Sequence, residues 1–240
     1  MRTIIFLLVV LGALLAGCQT VPQPQGLHYT MRESPEKVTP KTIVILPPRV
    51  DVMEMSAGGV QEKVPEWSQQ ASRNINDAIG EYARSRGTFR LVDLPKLTGS
   101  DLDRVDQHRA LYDEVAWAGL VFPHYWPHKR ERFDYTIGSG LKFLKQKTGA
   151  DAALIVVGED VVSTAGRKAV AVFGSILGMH VERGHSALTI GLVNLETGDV
   201  LWFDYRTSYA DLDMRDANDA KKMVTNVFAA LPATLATRKQ

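Results

Sequence analysis

The chain has a single cysteine, Cys18, in 240 residues. One thiol excludes an intramolecular disulfide and any cysteine-built metal cluster. Charge of one sign is also missing, with 28 Lys+Arg against 27 Asp+Glu. A nucleic-acid partner normally meets a basic face that displaces counterions from phosphates, so that class is excluded, as is polybasic attachment to a membrane surface. The longest apolar run, from Ile4 to Leu15, falls short of the roughly 20 residues needed to cross a bilayer. Phosphate loop, serine nucleophile elbow and dinucleotide fingerprint are all absent. Gly138-Ser139-Gly140 lacks both the downstream glycine and the preceding strand that a fingerprint needs.

What is present begins at the first residue. Met1-Arg2-Thr3 supplies a positive charge, the apolar run follows, and Leu15-Ala16-Gly17-Cys18 closes it with small residues. Charge, short apolar stretch and small-residue site are the three parts of a secretory signal. The tetrapeptide resembles the lipobox of bacterial lipoproteins. That resemblance implies recognition of Leu15, Ala16 and Gly17 by the lipoprotein signal peptidase, removal of residues 1–17 and acylation of Cys18. Several acyl chains hold a protein durably to a bilayer, whereas one alone does so marginally. Gln19 follows the cysteine where an inner-membrane retention signal would place Asp, so the expected site is the periplasmic side of the outer membrane. Loss of Arg2 leaves 27 basic and 27 acidic residues in the mature chain.

Residues 18–41 are expected to form a lipidated, extended stalk, because Pro22, Pro24, Pro35 and Pro40 interrupt a stretch with little apolar periodicity. Residues 42–240 are expected to form a single periplasmic domain. Its first strand is Thr42-Ile43-Val44-Ile45-Leu46, ended by Pro47-Pro48. Apolar residues at Val64, Trp67, Ala71, Ile75, Ala78, Ile79 and Tyr82 predict a helix from Pro65 to Gly87. Phe89 to Leu94 reads as a strand. A helix capped near Ser100 or Asp101 should carry Leu102, Val105, Leu111, Val115 and Ala118 inward before Gly119. A helix from about Ile137 to Thr148 leads through Gly149 into the strand Asp151 to Gly158. His185 to Leu195 and Val200 to Tyr209, joined by Glu196-Thr197-Gly198-Asp199, predict a hairpin. Arg215 to Leu231 closes the domain as a helix. The fold class is α/β: a mixed sheet with flanking helices, a terminal hairpin and a C-terminal helix.

The early Ile43-Val44-Ile45-Leu46-Pro47-Pro48 strand, the Thr148-Gly149-Ala150-Asp151 lead into a strand, and Val193 to Trp202 at the hairpin resemble the curli-secretion lipoprotein (CsgG) group. That group includes the amino-terminal domain of TolB, the outer-membrane activator of a peptidoglycan synthase, and the exopolysaccharide-export lipoprotein PelC. The resemblance implies a non-enzymatic outer-membrane lipoprotein acting as an accessory or assembly subunit of a secretion, polymer-export or assembly system, with a protein partner in the envelope and a homo-oligomer as one form. The alternative, motivated by the proline-bearing stalk, is a monomeric regulator that projects from the outer membrane and activates a periplasmic cell-wall synthase. The long membrane hairpins of the curli relative have no counterpart here.

Residues Arg167 to Arg183 are the nearest candidate for such a hairpin. They are expected instead to be a strand continuation and a Gly-rich loop, packed on the domain or on a neighbouring subunit. Val170, Val172, Phe173, Ile176, Leu177 and Trp126 are the candidate interface or membrane contacts. No metal site is expected. His124 and His128 stand four apart, but Pro127 lies between them and no Glu completes a zinc-peptidase motif. Isolated His108, His180 and His185 offer no better ligand set. Glu159-Asp160 is the one acidic pair with a catalytic look. Adjacent strand residues point to opposite faces, so the pair cannot flank one bond and is expected to be exposed strand-end charge. No catalytic residue is assigned, and no cofactor beyond the covalent lipid on Cys18.

Overall fold

The structure, a computed structural model, describes residues 26–236 apart from 88, 122–126, 180, 182, 183, 210 and 211. The signal and lipobox residues Leu15, Ala16, Gly17 and Cys18, together with His124, Trp126 and His180, lie outside the described residues.

Eight strands form one mixed sheet: β1 (Gly26–Leu27), β2 (Thr42–Ile45), β3 (Arg49–Met55), β4 (Gln61–Lys63), β5 (Arg90–Val92), β6 (Ala152–Ser163), β7 (His185–Asn194) and β8 (Val200–Ser208). Nine α-helices accompany them: α1 (Tyr29–Glu33), α2 (Pro35–Val38), α3 (Pro65–Arg86), α4 (Ser100–Val121), α5 (Pro127–Glu131), α6 (Lys142–Thr148), α7 (Ala165–Ile176), α8 (Ala217–Phe228) and α9 (Ala233–Ala236) among the described residues.

The twelve-residue β6 is the spine. On one side it pairs antiparallel with β7, and β7 with β8, with β1 at the edge; on the other side β2 and β3 lie end to end, both parallel to it. Pro47 and Pro48 separate these two because proline cannot donate to the ladder. Ile43 faces Ala152 and Arg49 faces Val157 across the joint. β5 then flanks β2 in parallel and β4 flanks β3 antiparallel.

Both faces of the sheet are covered. Ile43, Val52, Leu154, Ile190 and Trp202 pack under α3 and α8. Val44, Ile155, Phe203 and Val193 pack with Tyr112 of α4 and Leu144 of α6 on the other side. Continuous apolar strands such as Ala152 to Val156 are what a sheet buried on both faces requires. The expected α/β class, hairpin and C-terminal helix are all present. Gly198 closes the hairpin at φ 81°, a conformation glycine adopts without steric cost.

Asp151 explains why the Thr-Gly-Ala-Asp lead matters. Its carboxylate accepts hydrogen bonds from Lys41 N–H (2.9 Å), Thr42 N–H (3.0 Å) and Thr42 Oγ1 (3.0 Å), pinning the start of β2 beside the start of β6. Burial raises its pKa, and these bonds outweigh that, so the net displacement is downward.

Two expectations need correction. Part of the expected stalk belongs to the domain: Gly26 and Leu27 pair with Phe203 and Trp202, His28 is buried, and Met31 of α1 is 4% exposed within the core. The prolines at 35 and 40 punctuate short helical turns, with Pro35 opening α2, a first-turn position where its missing N–H costs nothing. In α4 the inward stripe is Val105, Arg109, Tyr112 and Ala116, whereas Leu102 and Leu111 are exposed. An arginine on the buried stripe hides the pattern; Arg109 reaches the carbonyl of Pro47 at 2.9 Å.

Candidate interaction site at the α7 end of the sheet

One end of the sheet gathers the features that sequence reading singled out. The C-terminal ends of β3, β6 and β8 meet the start of β7 there, since Met55 faces Ser163, Val161 faces His185 and Ser186 faces Ser208. The loop before α8 covers this end, and α7 projects from it.

Asp160 of β6 is 1% exposed, which corrects its expected place at the surface. The strand runs three residues past it, and the loop carrying Leu212 and Met214 folds over its side chain. Its carboxylate accepts from Ser186 Oγ (2.8 Å) and from Met214 N–H (2.7 Å), while Ser186 Oγ also lies 2.7 Å from the Leu212 carbonyl. Burial pushes its pKa up to about 6 against the pull of those hydrogen bonds. Glu159 points the other way, as strand alternation demands, and pairs with His185 Nε2 at 3.1 Å.

Neighbouring acids are similarly engaged. Asp213 accepts from Arg215 Nε (2.9 Å) and its second nitrogen (2.6 Å), which holds its carboxyl below the usual range, and the same guanidinium stacks 4.0 Å from the Trp67 ring centroid. Asp216 caps α8, accepting from Asn218 and Asp219 N–H. A cavity of about 420 Å³ lies between this loop and α7, lined by Asp160, Val162, Lys168, Val172, His185 and Asp213 among others. Its carboxylates each brace backbone or a cation. No three His, Cys, Asp or Glu side chains among the described residues are grouped so as to hold a metal. Of the other expected histidines, His108 bonds the Arg104 carbonyl on α4 and His128 lies exposed on α5.

The segment from Arg167 to Arg183 corrects the largest expectation. It is neither strand nor hairpin through Ile176 but the helix α7. Thr164 caps it, its side chain accepting from Arg167 N–H at 3.2 Å. At the other end Gly178, at φ 74°, donates to the Ser175 carbonyl and Met179 to the Gly174 carbonyl, the paired reverse bonds that stop a helix on a left-handed residue.

The face α7 turns inward is small: Ala171 and Gly174 are buried there. A side chain at 174 would meet Val181 at 2.7 Å. The face turned outward is apolar. Ala165, Ala169, Val172, Phe173 and Ile176 recur at helical spacing on it and all are exposed. Phe173 is 68%, Ile176 74% and Leu177 72% exposed, values that buried-core logic reserves for polar side chains. Val170 and Met179 extend the patch, and Tyr209, also exposed, stands at the same end of the sheet beside His185. The structure therefore brings Val170, Val172, Phe173, Ile176 and Leu177 together on one outward surface. Sequence reading missed the helix because Ala169-Val170-Ala171-Val172-Phe173 satisfies strand alternation and helical spacing equally well. Thr164 ahead of it was the available signal.

No family model matches the chain, and no curated protein matches it. Solved structures similar to it include the PelC dodecamer from Paraburkholderia phytofirmans, at 12% identity over 83% of this chain and 89% of that one, with a TM-score of 0.36. The C-terminal domain of LpoB from Salmonella enterica is similar at 15% identity over 78% of this chain and 96% of that one, with a TM-score of 0.27.

Proposed function

We propose that the mature protein is a lipid-anchored, non-enzymatic subunit of an envelope assembly or export system, held at the periplasmic side of the outer membrane and acting by surface contact. The observation that carries this reading is the outward apolar face of α7, set at one end of a sheet whose nearby carboxylates all serve as braces. A patch of that kind on a folded domain marks a contact surface. Turnover would need groups held ready for substrate, and Asp160, Asp213 and Asp216 are instead committed to backbone and arginine.

The competing role, a regulator that reaches away from the membrane to switch on a cell-wall synthase, asks for a long stalk. With Gly26 already in the sheet, only residues 19–25 separate Cys18 from the domain. At 3.3–3.6 Å per residue they reach at most about 28 Å. That supports a subunit seated close to the membrane. Cross-linking in intact cells followed by mass determination of the acylated protein in detergent tests the choice. Recovery with itself or with other components of an export or assembly system is expected; a strict monomer that captures only a cell-wall synthase would reverse it.

A further inference from the structure

We propose that α7 lies in the lipid interface of the membrane that carries the Cys18 anchor, with Val172, Phe173 and Ile176 among the acyl chains. The inference rests on the lipoprotein reading of Cys18 and deepens it by naming the surface that α7 meets.

Three observations point to lipid. The first is direction. β1 runs antiparallel to β8, with Gly26 opposite Phe203 and Leu27 opposite Trp202. The chain therefore enters β1 from the Ser208 side, the end of the sheet from which α7 projects. From Phe203 to Ser208 is five residues of strand, about 17 Å. The segment from Cys18 to Gly26 spans at most about 28 Å. An anchor at Cys18 can thus sit in the plane that α7 faces, and a protein tethered there has that end of the sheet turned toward the bilayer.

The second is charge. Between Val161 and Val181 the sequence holds Arg167 and Lys168 and no acidic residue. Both lie in the first turn of α7: Lys168 borders the apolar arc on the side of Asp213, while Arg167 turns inward toward Ala57 and Gly59. An apolar face with a basic border and no acidic residue suits a helix lying in a lipid headgroup layer, where the arc enters the acyl boundary and nothing repels anionic lipid. Its length rules out crossing, and no helix among the described residues is long and apolar enough to cross a membrane.

The third is the aromatic companion. Tyr209, 74% exposed, stands at the same end beyond β8, and tyrosine, apolar in body with a polar tip, favours the membrane–water boundary. Its position widens the contact from one helix to a plane.

The test uses the full acylated protein reconstituted in phosphatidylethanolamine–phosphatidylglycerol vesicles. Acylation consumes the only native thiol, so a cysteine introduced as Phe173→Cys or Ile176→Cys takes an environment-sensitive fluorophore at a single site, and Glu81→Cys on exposed α3 gives the control. Flotation with the vesicles reports the anchor; quenching by spin-labelled lipids reports the helix. The expected result is flotation together with a blue shift and at least a twofold stronger lipid quenching at 173 and 176 than at 81. Flotation with labels at 173 and 176 as water-exposed as at 81 overturns the helix inference alone. A blue shift that lipid quenchers do not touch, and that fades on dilution of protein in the vesicles, assigns the face to a second copy and also overturns it. Failure to float removes the anchor reading and this inference with it.

Discussion

The backbone N–H of Met214 donates to the buried carboxylate of Asp160 at 2.7 Å, fastening the loop before α8 to the central strand β6 near its end. The ionised form of Asp160 is disfavoured in the folded state, where its pKa rises to about 6 from an ordinary 3.8. The folded state then binds the proton more tightly than the unfolded chain. Asp160 contributes stability that is complete below about pH 4 and lost as pH rises through about 6, a swing of about 2–3 kcal/mol. His28 works the other way, since burial lowers its pKa and its protonation in acid costs stability. The difference between wild type and Asp160→Asn isolates the carboxylate, because asparagine can accept from Met214 and donate to Ser186. Urea unfolding between pH 4.5 and 7.5 should show the variant gaining on wild type as pH rises; parallel curves would contradict this account.

Removing the carboxylate of Asp151 should loosen the seam between β2 and β6. Asp151→Ala leaves Lys41 N–H, Thr42 N–H and Thr42 Oγ1 without that acceptor. A loss of about 1–2 kcal/mol is expected, measured as a lower urea midpoint with an unchanged slope.

Met31, expected in a stalk, is 4% exposed in the core. Met31→Ala should therefore cost about 2–4 kcal/mol in unfolding free energy. A true stalk residue would cost nothing, so calorimetry on this one variant decides where the domain begins.

The outward face of α7 makes an opposite prediction. Phe173→Ser with Ile176→Ser should change stability by less than about 1 kcal/mol, since neither side chain is buried. Gly174→Leu, on the inward face, should destabilise by about 1–3 kcal/mol by crowding Val181. Thermal melts of the two variants should diverge accordingly.

Replacing Cys18 with Ala should leave a folded domain in the wrong place. Cell fractionation with a protease-resistance assay is expected to show an intact core absent from the outer-membrane fraction. Undiminished membrane retention would count against the lipid anchor.

Much of this architecture was legible. β2, α3, β6 and the β7–β8 hairpin announce themselves through apolar runs, helical spacing and the Thr197-Gly198 turn, because each buries what its own period displays. The failures share a cause: partners distant in sequence decided them. Asp160 looked like strand-end charge until Met214, 54 residues on, arrived to bind it. Arg109, absent from the expected inward stripe, is buried because Pro47 supplies a carbonyl for it. Residues 26–31 looked unstructured because their apolar content is slight, and only the edge of β8 gives them a place. α7 is the sharpest case, since a helix with its apolar side outward has no core to declare it, and only caps mark its ends.

The end-to-end seating of β2 and β3 on β6 also sets a timetable. Thr42 and its partner Asp151 are separated by 109 residues, so β2 and β3, flanked by β5 and β4, lack their place on the spine of the sheet until β6 is available. Closing so large a loop is slow compared with local helix formation. A chain emerging amino-terminus first would hold residues 42–55 with only β4 and β5 as strand partners while the rest of the domain follows, and would complete its sheet late, around β6. Such a chain stays threadable until it has passed through a translocation channel.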